Sequence, residues 1–232
     1  MPQADPGMSG PTRGPARRPP RTVDTGAVDR ASWNQRYSST SVWSGRPNAA
    51  LVRHLSDAAP GTALDIGCGE GADALWLARH GWAVVGVDWA GAALQHAREH
   101  ALAAGAAGSR VRFAEADVSD PAALAALAPA AGFDLVSVAF LHPEPDCRRI
   151  LYGHLPDLLA PGGRLLVIAH DPSHGALGLG GPPAHRLLGP ADIVVALHLP
   201  GDTEVLVAQV EPREDAGQVV ARDAVVVVRR AG

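Results

Sequence analysis

The stretch Ala63-Leu64-Asp65-Ile66-Gly67-Cys68-Gly69-Glu70-Gly71 constrains the fold of this chain more than any other. A short apolar run ends beside an acid and breaks into alternating glycines, and a helical pattern from Ala72 to His80 begins at once. Strand, turn and helix start in that order form a seat for a ligand that comes close to backbone. Glycines remove the Cβ atoms that would block the approach. The start of a helix contributes unpaired N–H groups and a partial positive charge.

The pattern continues in both directions. Thr62 to Ile66 reads as the first strand, Trp82 to Val87 as a second buried on both faces, Ser109 to Phe113 as a third, Phe133 to Val138 as a fourth and Arg164 to Ala169 as a fifth. Helices are predicted between them at Ala90 to Ala104, Pro121 to Leu127 and Asp146 to Leu159. Such alternation implies a parallel sheet with helices on both faces. It then stops. His170 to Pro190, rich in Gly, Pro and His, reads as a long loop or lid, and Ala191 to Leu197 as one more helix. Two Val-rich runs, Thr203 to Val210 and Asp223 to Arg229, are joined by a short polar link and should pair antiparallel. The expected class is α/β: a Rossmann-like seven-stranded sheet, mostly parallel, with a C-terminal antiparallel hairpin.

The ends differ in character. Residues 1–25 carry six prolines among Gly, Ser and Arg and have almost nothing apolar to bury, so they are expected to form a disordered tail. Residues 26–232 are expected to form one domain, of which 26–58 supply an N-terminal helical lid. Two short helices are predicted there, Ala31 to Tyr37 and Asn48 to Asp57.

The glycine loop resembles the cofactor loop of class I S-adenosylmethionine-dependent methyltransferases. The segment Trp33-x-x-Arg36-Tyr37…Trp43-x-Gly45-x-Pro47-Asn48 resembles the entry segment of their tellurite-resistance and thiopurine-type branch. That resemblance implies that Trp33, Arg36, Tyr37 and Trp43 pack over the cofactor; plain anchoring of the N-terminal helix is the alternative. It implies that Asp65 lies near the methionine ammonium, with Gly67, Cys68 and Gly69 forming the turn beneath it. It places Asp88 on the ribose hydroxyls, Trp89 against the adenine, and Asp117 and Val118 at the adenine edge. Phe140, after the fourth strand, borders the same site. Gly67, Gly69 and Ala72 also satisfy the relaxed dinucleotide fingerprint, and Asp88 lies near the distance of its ribose acid. Four features favour the methyltransferase: Asp65 before the loop, Glu70 within it, the acids Glu115 and Asp117, and the C-terminal hairpin. Acids suit a sulfonium ligand and repel a pyrophosphate.

His142 is the candidate catalytic base, since a histidine titrates near neutrality; a pocket wall is the alternative. His170-Asp-x-x-His174 reads as a polar wall in preference to a metal site. A net charge of −4 with no basic face argues against nucleic acid as partner. Two cysteines without framework spacing, no signal-peptide core and no apolar run of membrane length suggest a cytoplasmic protein with no membrane partner. The function expected is methyl transfer from S-adenosyl-L-methionine to a small-molecule thiol, chalcogen oxyanion, hydroxyl or amine. An NAD-dependent oxidoreductase, or a catalytically silent cofactor-binding domain, is the alternative.

Overall fold

A computed structural model describes residues 29–38, 42–177, 181–215 and 218–232; the expected tail lies outside them. The chain forms one seven-stranded sheet in the order β3-β2-β1-β4-β5-β7-β6. Its strands are β1 (Thr62–Ile66), β2 (Ala83–Asp88), β3 (Val111–Glu115), β4 (Phe133–Ala139), β5 (Leu159–His170), β6 (Thr203–Asp215) and β7 (Gln218–Arg230). The first five pair parallel, while β7 runs antiparallel to both β5 and β6. The sheet is therefore the one that the alternation implied.

Helices α1 (Arg30–Tyr37) and α2 (Ala49–Leu55) precede β1, and α3 (Ala72–Arg79), α4 (Gly91–Ala103), α5 (Pro121–Ala125) and α6 (Pro145–His154) link the parallel strands. Helix α7 (Pro190–Ala196) leads into the hairpin. Each sheet face carries its own core. Leu51 and Leu55 of α2 with Ala74, Leu77 and Ala78 of α3 cover Val84, Leu135, Leu166 and Val225. On the other face, Leu151 and Tyr152 of α6 with Ile193 and Leu197 cover Val136, Val138, Val167 and Val226. Each such aliphatic side chain contributes roughly 1.5–3 kcal/mol on leaving water.

Three expectations change. Pro161 to Gly163 is an irregularity inside β5, which starts at Leu159; the β4–β5 register jumps from Phe133↔Leu159 to Leu135↔Arg164. The hairpin is longer than its Val-rich cores: β6 runs to Asp215 and β7 starts at Gln218, so the polar link is mostly strand. The segment after β5 is only partly loop. Pro172–Leu177 and Ala184–Arg186 are 3₁₀ turns, and His174 and Arg186 within them are buried.

Candidate active site

The carboxyl ends of β1, β2, β4 and β5 gather the candidate residues at one rim. At its centre Gly67 (φ 71°), Gly69 (φ 51°) and Gly71 (φ 83°) hold the loop in left-handed backbone. At Gly69 there is also no room: an added Cβ would lie 3.2 Å from the Tyr37 hydroxyl. The loop is braced from β2, since Gly67 and Cys68 N–H both donate to the Val87 carbonyl. Asp88 Oδ2 accepts the Gly69 N–H at 3.0 Å and its Oδ1 accepts the Ala90 N–H at 2.9 Å. Burial raises the Asp88 pKa against the pull of these amides. Cys68 is a filler whose thiol burial pushes well up.

Asp65 is 2% exposed. Its Oδ1 accepts the Ser137 hydroxyl at 2.9 Å, and Oδ2 is buried with no hydrogen bond of ordinary geometry, the Ala74 N–H lying near the carboxyl. Burial, reinforced by the nearby charge of Asp73, lifts its pKa to about 8. A buried carboxylate with one oxygen so poorly matched calls for a cation, and it opposes a phosphate. The ammonium of S-adenosylmethionine fits that requirement and a pyrophosphate does not.

The N-terminal segment closes on this loop. Trp33, Tyr37 and Trp43 form one aromatic group, with ring centroids 5.7 Å apart (Trp33–Tyr37) and 6.4 Å apart (Trp33–Trp43). Trp43 Nε1 donates to the Tyr37 hydroxyl at 2.7 Å. Arg36 lies over the Trp33 ring, 4.8 Å from its centroid. Glu70 sits within the loop. Its buried carboxylate accepts the Val42 and Trp43 amides at 3.0–3.1 Å and meets His96 Nδ1 at 3.0 Å, which spends the charge on the lid. Asp73 likewise takes the Asn48 backbone and side-chain N–H groups at 2.7 and 2.6 Å. Neither clamp has a sequence signal, because each joins residues about 25 positions apart. The cap that Ala90 lacks comes from α1: Asn34 Oδ1 accepts the Ala92 N–H at 3.0 Å.

Beyond Asp88, Trp89 is half-buried and packs with Trp33 and Val42 around Tyr37 and Ala93. Val118 is buried, and exposed Asp117 uses Oδ1 on the Ser119 amide and hydroxyl. Glu115 pairs with Arg30, which ties α1 to the end of β3.

After β4 the chain turns sharply at Phe140, a non-glycine at φ 53°. Leu141 then lies against Gly67. His142 follows, and its Nε2 accepts the His170 N–H at 3.1 Å. Burial, followed by the neighbouring His170, holds its pKa down to about 3. An imidazole whose lone pair is already used, and which resists protonation, is a poor base. His142 Nε2 is thereby engaged with the backbone of β5.

Residues 63–163 match the methyltransferase domain family. The sheet order and the glycine loop between β1 and α3 agree with that match, and the chain resembles class I S-adenosylmethionine-dependent methyltransferases over this part. The chain is 42% identical over 125 residues to demethylmenaquinone methyltransferase of Thermus thermophilus, covering 52% of this chain and 53% of that protein. It is 31% identical over 119 residues to ribosomal RNA small subunit methyltransferase C of Alcanivorax borkumensis, covering 48% and 33%. The chain thus spans about half, or less, of the length of these relatives. A solved structure from echinomycin biosynthesis, concerning conversion of a disulfide bond into a thioacetal group, shares the fold with TM-score 0.68 at 21% identity, covering 88% of this chain and 93% of that one.

Proposed function

We propose that this protein transfers the methyl group of S-adenosylmethionine to a small-molecule acceptor by direct displacement. The observation that carries this reading is the buried Oδ2 of Asp65 at the end of β1, with no hydrogen bond of ordinary geometry, a cation seat where a dinucleotide enzyme would hold phosphate. In this reading Asp65 holds the ammonium, Asp88 the ribose, and Asp117, Val118 and Trp89 the adenine. Trp33, Arg36, Tyr37 and Trp43 then form the cover, and Phe140 borders the methyl. When bound, the cofactor supplies an electrophilic methyl carbon on sulfonium sulfur. The chain aligns the acceptor and excludes water, which accounts for much of the barrier in such a displacement.

A small acceptor is supported by the demethylmenaquinone methyltransferase relative, by the net charge of −4 and by the lid closing over the loop. The ribosomal RNA relative makes nucleic acid the competing acceptor class. The Trp33-x-x-Arg36-Tyr37 segment adds soft nucleophiles to the small-molecule set. Among the described residues no helix is long and apolar enough to cross a membrane. The test is a screen for S-adenosylhomocysteine formation with hydroquinones, phenols, thiols, tellurite, selenite and total RNA. Turnover with a small molecule and none with RNA is the expected result. Turnover with RNA alone would overturn the acceptor class, and no turnover with any of them would overturn the enzymatic reading.

A further inference from the structure

The rim holds a second carboxylate that sequence reasoning left outside the site. Asp223 on β7 is 4% exposed and lies opposite His170 of β5 in the antiparallel register. Its Oδ1 is 3.3 Å from His170 Nδ1, and its Oδ2 is 3.1 Å from Arg213 Nε. Asp223 faces the Arg213 guanidinium on one side and His170 on the other; as a carboxylate it accepts, so His170 Nδ1 is the donor of this contact. His170 Nε2 then bears the lone pair. This nitrogen makes no hydrogen bond among the described residues, and the side chain keeps 17% of its surface exposed.

We propose that the Asp223–His170 pair is the general base of the reaction, with His142 as its positioning residue. This rests on the methyltransferase reading above. A carboxylate that fixes the tautomer of an imidazole and balances the charge it gains is the arrangement by which a base is held ready. His142 accepts the His170 backbone N–H and stacks on the His170 ring at 5.2 Å and 10°. His174 also stacks on the His170 ring at 4.3 Å and 19°, and the Phe140 ring lies 4.7 Å away, tilted by 37°. The ring is thereby fixed from several directions. Leu141, which precedes His142 in the chain, lies against Gly67, so the turn that carries His142 borders the glycine loop.

The other acids of this rim are engaged. Glu144 pairs with Arg186 and His185, and Asp171 Oδ1 takes the Ser173 amide and hydroxyl. The charged and titratable groups facing His170 are therefore Asp223, Arg213, His142 and His174, with Asp171 adjoining and Arg186 beyond His142. In the transfer step a lone pair of the acceptor heteroatom forms the bond to the methyl carbon. The carbon–sulfur bond breaks with its electron pair remaining on sulfur, and the acceptor proton passes to His170 Nε2, where Asp223 balances the imidazolium.

The test uses the full chain in two measurements. In the S-adenosylhomocysteine complex, ¹⁵N NMR of the imidazoles should show neutral His170 protonated on Nδ1; a proton on Nε2 would overturn the proposal. With an acceptor from the screen, His170→Gln should lower kcat roughly 10²–10⁴-fold and abolish the acid limb of the pH–rate profile, with S-adenosylhomocysteine affinity unchanged by calorimetry. Asp223→Asn should give a smaller loss and a shifted limb. The deficit of His170→Gln should shrink for acceptors already ionised at the assay pH. Wild-type kcat and an unmoved acid limb in His170→Gln would overturn the dyad. Failure of the wild-type protein to bind S-adenosylhomocysteine would instead fall on the methyltransferase reading.

Discussion

At the scale of single residues, Asp65 is where folding and binding oppose each other. Its pKa of about 8 means that the free protein holds it largely protonated at neutral pH. A folded pKa raised above the ordinary carboxylate value of 3.8 gives stability that is full below that value and is lost as pH rises through about 8. Asp65→Asn should therefore flatten the decline of urea-unfolding stability between pH 4 and 8, and an unchanged slope would refute the assignment. In the proposed function binding reverses the balance, because an ammonium beside Asp65 would demand the ionised form. S-adenosylhomocysteine should release close to one proton per site on binding at pH 6.5. Its affinity should rise by up to tenfold per pH unit from 5.5 to 7.5. Calorimetry in buffers of different ionisation enthalpy measures both, and zero proton release would remove Asp65 from the ammonium. Asp88 does two jobs, bracing the Gly69 amide and, in the proposed function, holding the ribose. Asp88→Ala should thus weaken S-adenosylhomocysteine binding by at least 100-fold, the sum of a lost charge-assisted contact and a loosened loop.

At the scale of elements, the sheet rests on packing and the lid on two carboxylates. Glu70 and Asp73 hold residues 42–48 across the loop by charge-assisted hydrogen bonds to backbone amides. Removing the charge of Glu70 while keeping its shape separates closure from cofactor contact. Glu70→Gln should raise proteolytic cleavage near residues 42–48 and speed ligand dissociation several-fold, with the melting temperature nearly unchanged; stopped-flow release kinetics that match wild type would show that the clamp does not gate the site. This element also marks the limit of what the sequence revealed. The parallel core was legible because strands buried on both faces read as Val- and Leu-rich runs closed by Gly and Asp. The hairpin length was not, because Glu211 reads as turn yet is buried in β6, where Arg53 of α2 pairs with it and His54 Nε2 lies at 2.7 Å, 157 positions away in sequence. Asp88 and Asp65 stood out because they end strands. Asp223 did not, since its significance depends on the β5–β7 register that brings it to His170. The same holds for His142: its spacing after β4 was visible, but the His170 amide that its Nε2 accepts was not.

At the scale of the whole molecule, the domain buries four carboxylates, Asp65, Glu70, Asp73 and Asp88, around one glycine loop, and burial raises the pKa of Asp65, Asp73 and Asp88. Assembling like charges in low dielectric costs stability that the free protein must find elsewhere, chiefly in the two aliphatic layers on the sheet. A ligand bearing an ammonium and several hydrogen-bond donors removes much of that cost, and does so only in the folded state. The molecule should therefore be unusually responsive to its cofactor. At a ligand concentration 100 times Kd the linkage is about 2.7 kcal/mol. For a chain of this length that corresponds to a rise in melting temperature of roughly 5–10 °C. S-adenosylmethionine and S-adenosylhomocysteine should both produce this shift, since both carry the ammonium, ribose and adenine. NAD shares the adenine and ribose but brings a pyrophosphate toward the same acids, so it should leave the melting temperature unchanged. A shift with NAD and none with S-adenosylhomocysteine would reverse the electrostatic reading of the loop. Equal shifts with all three would show that adenosine alone is recognised and that Asp65 contributes nothing to the choice.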